Sequence, residues 1–437
     1  MPKKERTSFM SSISIYKQSK SNFEIFILVL FKFSLDLVYS LIQHKLFGFY
    51  GFSFDFSFIR LFLGWICYLV CIWGIPKNSS ELSDIFIYTI LMLSITPCIV
   101  YYQYNKDAEF WMILVQVISF FLIVWILSLP FSVSFRISLK KISYKNCLLR
   151  ISVTTLLLLF FVYLLYKNGI PSFHSVTFSN ISKVRALYSS DLLLNLLYTL
   201  VCKIVIPIYI LIAIKERRPL VFFFSILLPV YIYAITGFKS YLFIPVIIIG
   251  TAFFSHLDLK MCIIYLLPCI ILFVGFEYLV LEEPMLYSLI NERVFFLPAK
   301  IKIAYFDFFS KNEFAFFSQS TIGKIFRIPS IYEENIPNMI GRIYWNRPKM
   351  WTNTGFMADA YSNLGFLGMV IISVFVSMIL KLAQNQMVGL TSNMKKNLEA
   401  LFLIFFISLN DGGTISVIFS GGLFLLILVI VLIDFTD

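Results

Sequence analysis

Charge is what this sequence has least of. Only 14% of its 437 residues are Asp, Glu, Lys or Arg, against about 25% in an ordinary soluble domain. Histidine is rarer still: His44, His174 and His256 are too dispersed for a usual metal site. No HExxH, P-loop, GxSxG or dinucleotide fingerprint is present, which argues against metal-dependent hydrolysis and nucleotide-driven transport. The seven cysteines (Cys67, Cys71, Cys98, Cys147, Cys202, Cys262 and Cys269) lie in or beside apolar runs without a CxxC pattern, so no disulfide framework is expected. Cys67 and Cys71 share a helical face and read as packing residues. No small-residue cleavage site follows the first apolar run, so the basic stretch 1–22 is expected to remain as a segment ahead of an anchor helix. Internal repeats and low-complexity tracts are also lacking.

What the sequence has in quantity is apolar surface. Hydrophobic residues make up 59% of it, and its mean hydropathy is +0.86. A bilayer core of about 30 Å takes roughly 20 apolar residues per helix. Such runs fall near 23–42, 56–75, 84–102, 109–130, 147–166, 192–214, 219–236, 241–256, 261–280, 355–380, 397–410 and 414–434. The expected fold is therefore all-α and polytopic, with about twelve transmembrane helices in one membrane domain spanning 1–437. Two interruptions, Thr236 to Ser240 and Asn410 to Gly413, read either as short outer turns or as re-entrant breaks lined by protein or water.

The formal charge of +12 is spread over short loops rather than gathered in one patch, which disfavours nucleic acid as a partner. It fits the rule that Lys and Arg gather in cytoplasmic loops. With the N-terminus inside, that set holds Lys3, Lys4, Arg6, Lys17 and Lys20, then Arg136, Lys140, Lys141 and Lys145, then Lys215, Arg217 and Arg218, then Lys395 and Lys396. The short outer loops hold only Lys45, Lys106 and Lys239. Both termini are then cytoplasmic. Two longer segments face the other side, 167–191 and 281–354.

The segment 281–354 is the one long polar interval. It interleaves aromatics with Arg293, Arg327, Arg342 and Arg347, five lysines including Lys300 and Lys302, and seven acids. Asn291 to Phe317 suggests interfacial helices with their apolar faces in lipid, the first interrupted at Pro298. Ile328 to Pro348, with three prolines, reads as irregular loop. Arginine grips phosphate bidentately and aromatic faces suit sugar rings, so phosphate plus carbohydrate is the substrate chemistry expected here. The alternative is a solvated charge set with an aromatic belt.

Individual candidates follow. Arg185 lies on the first long outer loop just before a helix, and His174, suited by its pKa to proton transfer, lies eleven residues earlier. Lys239 sits in the tight turn of a helical hairpin, Arg293 opens the helical part of the long loop, and Arg342 and Arg347 lie near its end. Asp359 and Asn363, spaced i,i+4 near the outer end of the tenth apolar run, mark an intramembrane acid. Such an acid is a functional hypothesis with an expected partner, here a loop arginine, in either a substrate-directed or a purely structural ion pair. Lys32 and Asp36 have the same spacing and read as a helix-stabilising pair.

The chain resembles the Wzy-type O-antigen polymerases, the oligosaccharide repeat-unit polymerases of bacterial surface polysaccharide assembly. The resemblance covers nearly the whole length. It rests on the helix count, the long late loop, the Arg185 segment, Thr236-Gly237-Phe238-Lys239-Ser240-Tyr241-Leu242, Asn291-Glu292-Arg293, and Asn353-Thr354-Gly355 through Asn363-Leu364-Gly365. It implies a GT-C-like glycosyltransferase at the periplasmic face of the inner membrane. The donor would be a chain on undecaprenyl pyrophosphate and the acceptor a lipid-linked repeat unit, with no metal or other cofactor. A chain-length regulator protein is a candidate partner. Asp359 or His174 would be the catalytic base; Arg185, Lys239, Arg293, Arg342, Arg347 and Asn363 would contact substrate. A flippase for the same lipid-linked unit and an O-antigen ligase are the alternatives.

Overall fold

The structure is a computed structural model that describes residues 22–76, 81–130, 142–143, 147–171, 184, 188, 192–253 and 258–434. Most of it is helical. The one strand pairing among the described residues is a two-residue parallel pair, Ile142–Ser143 with Ile433–Asp434. Continuous Leu, Ile, Val and Phe runs take this form because a helix satisfies every backbone polar group within itself, as a bilayer demands.

Each of the twelve apolar runs coincides with a helix. Among the described residues, nine are long and apolar enough to cross a membrane: α1 (Asn22–Leu46), α3 (Leu82–Tyr104), α4 (Phe110–Ser128), α5 (Arg150–Asn168), α6 (Leu193–Lys215), α7 (Pro219–Thr236), α9 (Leu259–Leu281), α13 (Phe356–Gln386) and α15 (Thr414–Leu432). Two apolar helices are shorter, α2 (Phe58–Gly74) and α8 (Lys239–Phe253). The twelfth, α14 (Ser392–Asp411), carries charges in its first turns. These features fit a multi-pass membrane protein.

Both expected interruptions are short connections. Only Gly237 and Phe238 separate α7 from α8, and Gly237 takes the left-handed φ of +71° that ends a helix abruptly. Only Gly412 and Gly413 separate α14 from α15.

The chain divides into two compact units. The first comprises Met1–Pro130, Lys260–Ser377 and Leu409–Thr414; the second comprises Phe131–Leu259, Met378–Ser408 and Ile415–Asp437. In the first, α3 is buried along its whole apolar length and forms the core. Its Tyr104 stacks on Tyr39 of α1 at 5.2 Å, and its Tyr101 meets Phe52 edge-on at 6.0 Å. Lys32 of α1 is fully buried. Its ammonium lies 2.7 Å from Asp36 and 2.9 Å from Oε1 of Gln103 on α3, over the Trp65 ring. The pair expected along one helix face therefore also joins α1 to α3, and removing either partner would strand a buried charge.

The long polar interval differs from expectation. Residues 284–309 form one continuous helical stretch, α10, in which a wide π-helical segment (Ser288–Phe296) runs into α-helix (Leu297–Phe309). Pro298 does not interrupt it, because the proline sits at the start of the α-helical part, where a missing N–H costs least. Nor does α10 lie on lipid with one apolar face. From Ala299 to Phe306 every residue is buried, because apolar side chains surround the helix on all sides. The stretch expected to be irregular contains a helix too, α12 (Ile336–Trp345), entered through Pro337 at its first turn. Between them lies the single turn α11 (Thr321–Ile325), capped by the Ser320 hydroxyl on the Gly323 N–H.

Helix α13 is not continuous. Leu364 (φ −143°, ψ 18°) and Gly365 (φ 62°, ψ −145°) break it after two turns. The carbonyls freed at the break are met by the loop after α10: Ala315 N–H donates to Ser362 O at 2.8 Å and Phe316 N–H to Asn363 O at 3.1 Å. Beyond the break, residues 366–386 span about 31 Å at 1.5 Å per residue, still membrane length.

Candidate functional site

In the first unit, polar groups collect around α10. Lys300 and Lys302 are two residues apart and so point to different sides of the helix.

Lys300 meets an aromatic box. Its ammonium donates to the Tyr50 carbonyl and stands 5.2 Å from the Phe52 ring and 5.4 Å from the Trp345 ring. Gly51 beside it adopts a left-handed φ of +81°, and a side chain there would collide with the ammonium. Arg347 completes the group, donating to the Tyr50 hydroxyl at 2.8 Å while its guanidinium stacks 4.6 Å over that ring. Two cations set among ring faces can hold phosphate and the apolar face of a sugar together.

Burial pushes the Lys300 ammonium down to about 8, with Asp107 opposing the shift. An unfolded lysine keeps its proton to about 10.4. The folded chain therefore loses this proton first, so the lysine's contribution to stability rises between these values, while any anion it holds is released over the same window. Binding of inorganic pyrophosphate to the purified protein is expected to weaken as pH rises through 8, and Lys300→Met to remove that step. Titration calorimetry at pH 7 and pH 9 measures both; equal affinities for the parent protein at the two pH values would exclude Lys300 as the anion's cation.

On the other side, Lys302 is 1% exposed and donates to Ser94 Oγ at 2.9 Å and to Asn410 Oδ1 at 2.6 Å. Ser94 lies in the π-helical segment of α3 (Leu91–Ile95), and Asn410 lies in the last turn of α14, just before the break. Lys302 thus ties that break to the core. Gly355 fits between them, since a side chain there would meet Asn410 O at 2.2 Å and Lys302 Cε at 3.0 Å.

One turn beyond Gly355 stands Asp359, partly buried. Its expected arginine partner is absent among the described residues. Instead its Oδ2 accepts the Thr414 N–H at 3.0 Å, and both carboxylate oxygens lie where a side chain on Gly413 would be, 3.0 to 3.1 Å from its ideal Cβ. The two glycines therefore let a carboxylate rest on the backbone of the break. Asn363 holds the same turn, donating to Asp359 O at 2.7 Å and accepting the Phe317 N–H on Oδ1 at 2.7 Å. Its amide is committed to the backbone on both sides.

The other predicted residues lie apart. Arg293 is 59% exposed, with Nε 3.6 Å from Glu292; burial raises the Glu292 carboxyl above its usual range. Arg342 is 52% exposed and pairs with Glu334 at 2.9 Å. Lys239 opens α8 in the second unit. His174 and Arg185 lie outside the described residues. Among the described residues no three His, Cys, Asp or Glu side chains come together as a metal site would need.

Sequence reasoning missed Lys300, Lys302, Asn410, Tyr50 and Trp345 as members of the site. A signal was present for the lysines, which alternate with Ala299, Ile301 and Ile303 in an otherwise apolar helix. Comparison with family models, with curated proteins and with solved structures returned no match for this chain.

Proposed function

We propose that the chain is an O-antigen polymerase of the Wzy type: a metal-independent, GT-C-like glycosyltransferase with twelve spans in the bacterial inner membrane and both termini cytoplasmic. It would join undecaprenyl-pyrophosphate-linked oligosaccharide units at the periplasmic face. The observation that carries this reading is the pairing of Lys300 and Arg347 with Tyr50, Phe52 and Trp345, a phosphate-and-sugar chemistry, in the same unit as the Asp359 carboxylate. The topology read from the Lys and Arg distribution supports it as well.

In this reading an acceptor sugar hydroxyl attacks the anomeric carbon of the donor. The new glycosidic C–O bond forms as the C–O bond to pyrophosphate breaks, and undecaprenyl pyrophosphate leaves with the bonding pair. Asp359 takes the hydroxyl proton. Lys300 and Arg347 stabilise the charge growing on the pyrophosphate, with Arg293 and Arg342 as further substrate contacts. Asn363, bound to backbone on both sides, fits a positioning part better than the substrate contact that the resemblance implies.

The test is deletion of the gene in its host, followed by separation of lipopolysaccharide by size. The expected result is a ladder that collapses to core carrying one repeat unit, restored by the parent gene and not by Lys300→Ala/Arg347→Ala expressed to the same level. Core with no repeat unit would overturn the polymerase reading in favour of the flippase or ligase.

A further inference from the structure

The second unit contains a groove that the proposed reaction does not use. It lies between α5, α6 and α7 and has a volume of about 260 Å³. Its walls are apolar: Leu157, Leu158 and Phe161 face Ile206 and the stretch from Leu220 to Leu228. From Leu220 to Leu228 it runs about 12 Å along α7 at 1.5 Å per residue. Helix α5 buries only 6% of its apolar span inside the protein, so the groove opens sideways, toward the bilayer if the chain spans one.

Its polar groups are few: on the α7 wall the Ser225 hydroxyl is spent on the Val221 carbonyl at 2.8 Å, and the rest lie at one end. Thr154 Oγ1 and the Tyr209 hydroxyl both line it and lie 3.0 Å apart, and both reach the Arg150 carbonyl, at 2.7 and 3.3 Å. Directly beyond that end stands a charged cluster. Arg150 grips Glu216 through two bonds of 3.0 and 2.6 Å, and Arg218 Nε lies 2.9 Å from the same carboxylate. Lys215 and Arg217 are exposed in the same turn. Arg150, Arg218 and Lys215 thus act on the Glu216 carboxylate at the mouth of an apolar slot, with Arg217 exposed beside them.

We infer that this groove is a binding site for an anionic phospholipid, one acyl chain lying along α7 and the phosphate resting on the turn from Lys215 to Arg218. An apolar slot ending in excess positive charge matches a molecule whose chain ends in a phosphate, and basic pockets between membrane helices recognise such headgroups. The isoprenoid substrate has similar chemistry. The turn from Lys215 to Arg218, however, belongs to the Lys- and Arg-rich set that marks the cytoplasmic side, opposite the face proposed for the reaction.

The experiment is native mass spectrometry of the full chain in uncharged detergent, titrated with phosphatidylglycerol and with phosphatidylcholine of the same acyl chains. Phosphatidylglycerol is expected to bind about tenfold more tightly, given roughly 1 kcal/mol for each basic residue engaged at the headgroup. Arg217→Gln/Arg218→Gln should remove that preference while retaining chain binding. Leu158→Trp, at a half-exposed position in the slot, should weaken both lipids at an unchanged melting temperature. Equal affinity of the parent protein for the two lipids would overturn the headgroup assignment, and undiminished binding by Leu158→Trp would overturn the groove.

Discussion

On the proposed function, Asp359→Asn is expected to slow the joining of lipid-linked units by about 10² to 10⁴-fold, the usual contribution of a positioned proton acceptor, while the protein folds as before. The substitution is chosen for what it keeps. An asparagine retains a carbonyl oxygen where Oδ2 now accepts the Thr414 N–H at 3.0 Å, and it fits over Gly413 with the same outline. The main-chain carbonyl of Asp359 still receives Asn363. What is lost is the ability to take a proton. A gel of the host lipopolysaccharide should therefore show the collapsed ladder, with the melting temperature of the purified variant close to that of the parent. A normal ladder from Asp359→Asn would remove Asp359 as the base and leave His174 as the remaining candidate. Gly413→Ala offers an independent comparison. Its methyl group would lie about 3 Å from both carboxylate oxygens, so it should lower the rate by displacing a carboxylate that remains ionisable.

The helices were legible in the sequence because each is a continuous apolar run, and Gly237, Gly412 and Gly413 punctuate them where the structure turns. The long polar interval was harder to read for a physical reason. Hydropathy averages over a window, and Asn291, Glu292, Arg293, Lys300, Lys302 and Asp307 lower that average enough to hide a helix whose remaining residues are mostly apolar. In the fold those lysines do not reach for solvent. Lys302 spends its donors on Ser94 and Asn410, partners more than 100 residues away on either side, and no local pattern announces such a match. The same distance explains Asp359: its acid character in an apolar run was visible, but its partner is a backbone N–H at a glycine break rather than an arginine. Arg342 and Arg347, both candidates from the sequence, are told apart by packing. Exposed Arg342 pairs with half-buried Glu334, and Arg347 stacks on Tyr50.

Gly365→Ala is expected to destabilise the chain markedly. Two effects combine. At φ 62° and ψ −145° the backbone occupies a region essentially open only to glycine, where another residue carries about 1 to 3 kcal/mol of strain. The added Cβ would also stand 2.7 Å from the Phe314 ring. Phe314 has little freedom to retreat, because the next three residues are fastened to the end of the short helix through Ser362 O, Asn363 O and Asn363 Oδ1. Relief of the clash must therefore loosen those three bonds or straighten the break. Straightening would return Leu364 and Gly365 to helical geometry and swing Phe356 to Asn363, with Asp359 among them, away from Thr414. The purified variant should melt several degrees lower than the parent, and the polymerisation proposed to depend on Asp359 should fall with it. Phe314→Ala removes the ring and leaves the backbone strain, so adding it to Gly365→Ala should recover part of the loss in melting temperature. An unchanged melting temperature for Gly365→Ala would mean that the break between the two parts of α13 is not held by this glycine.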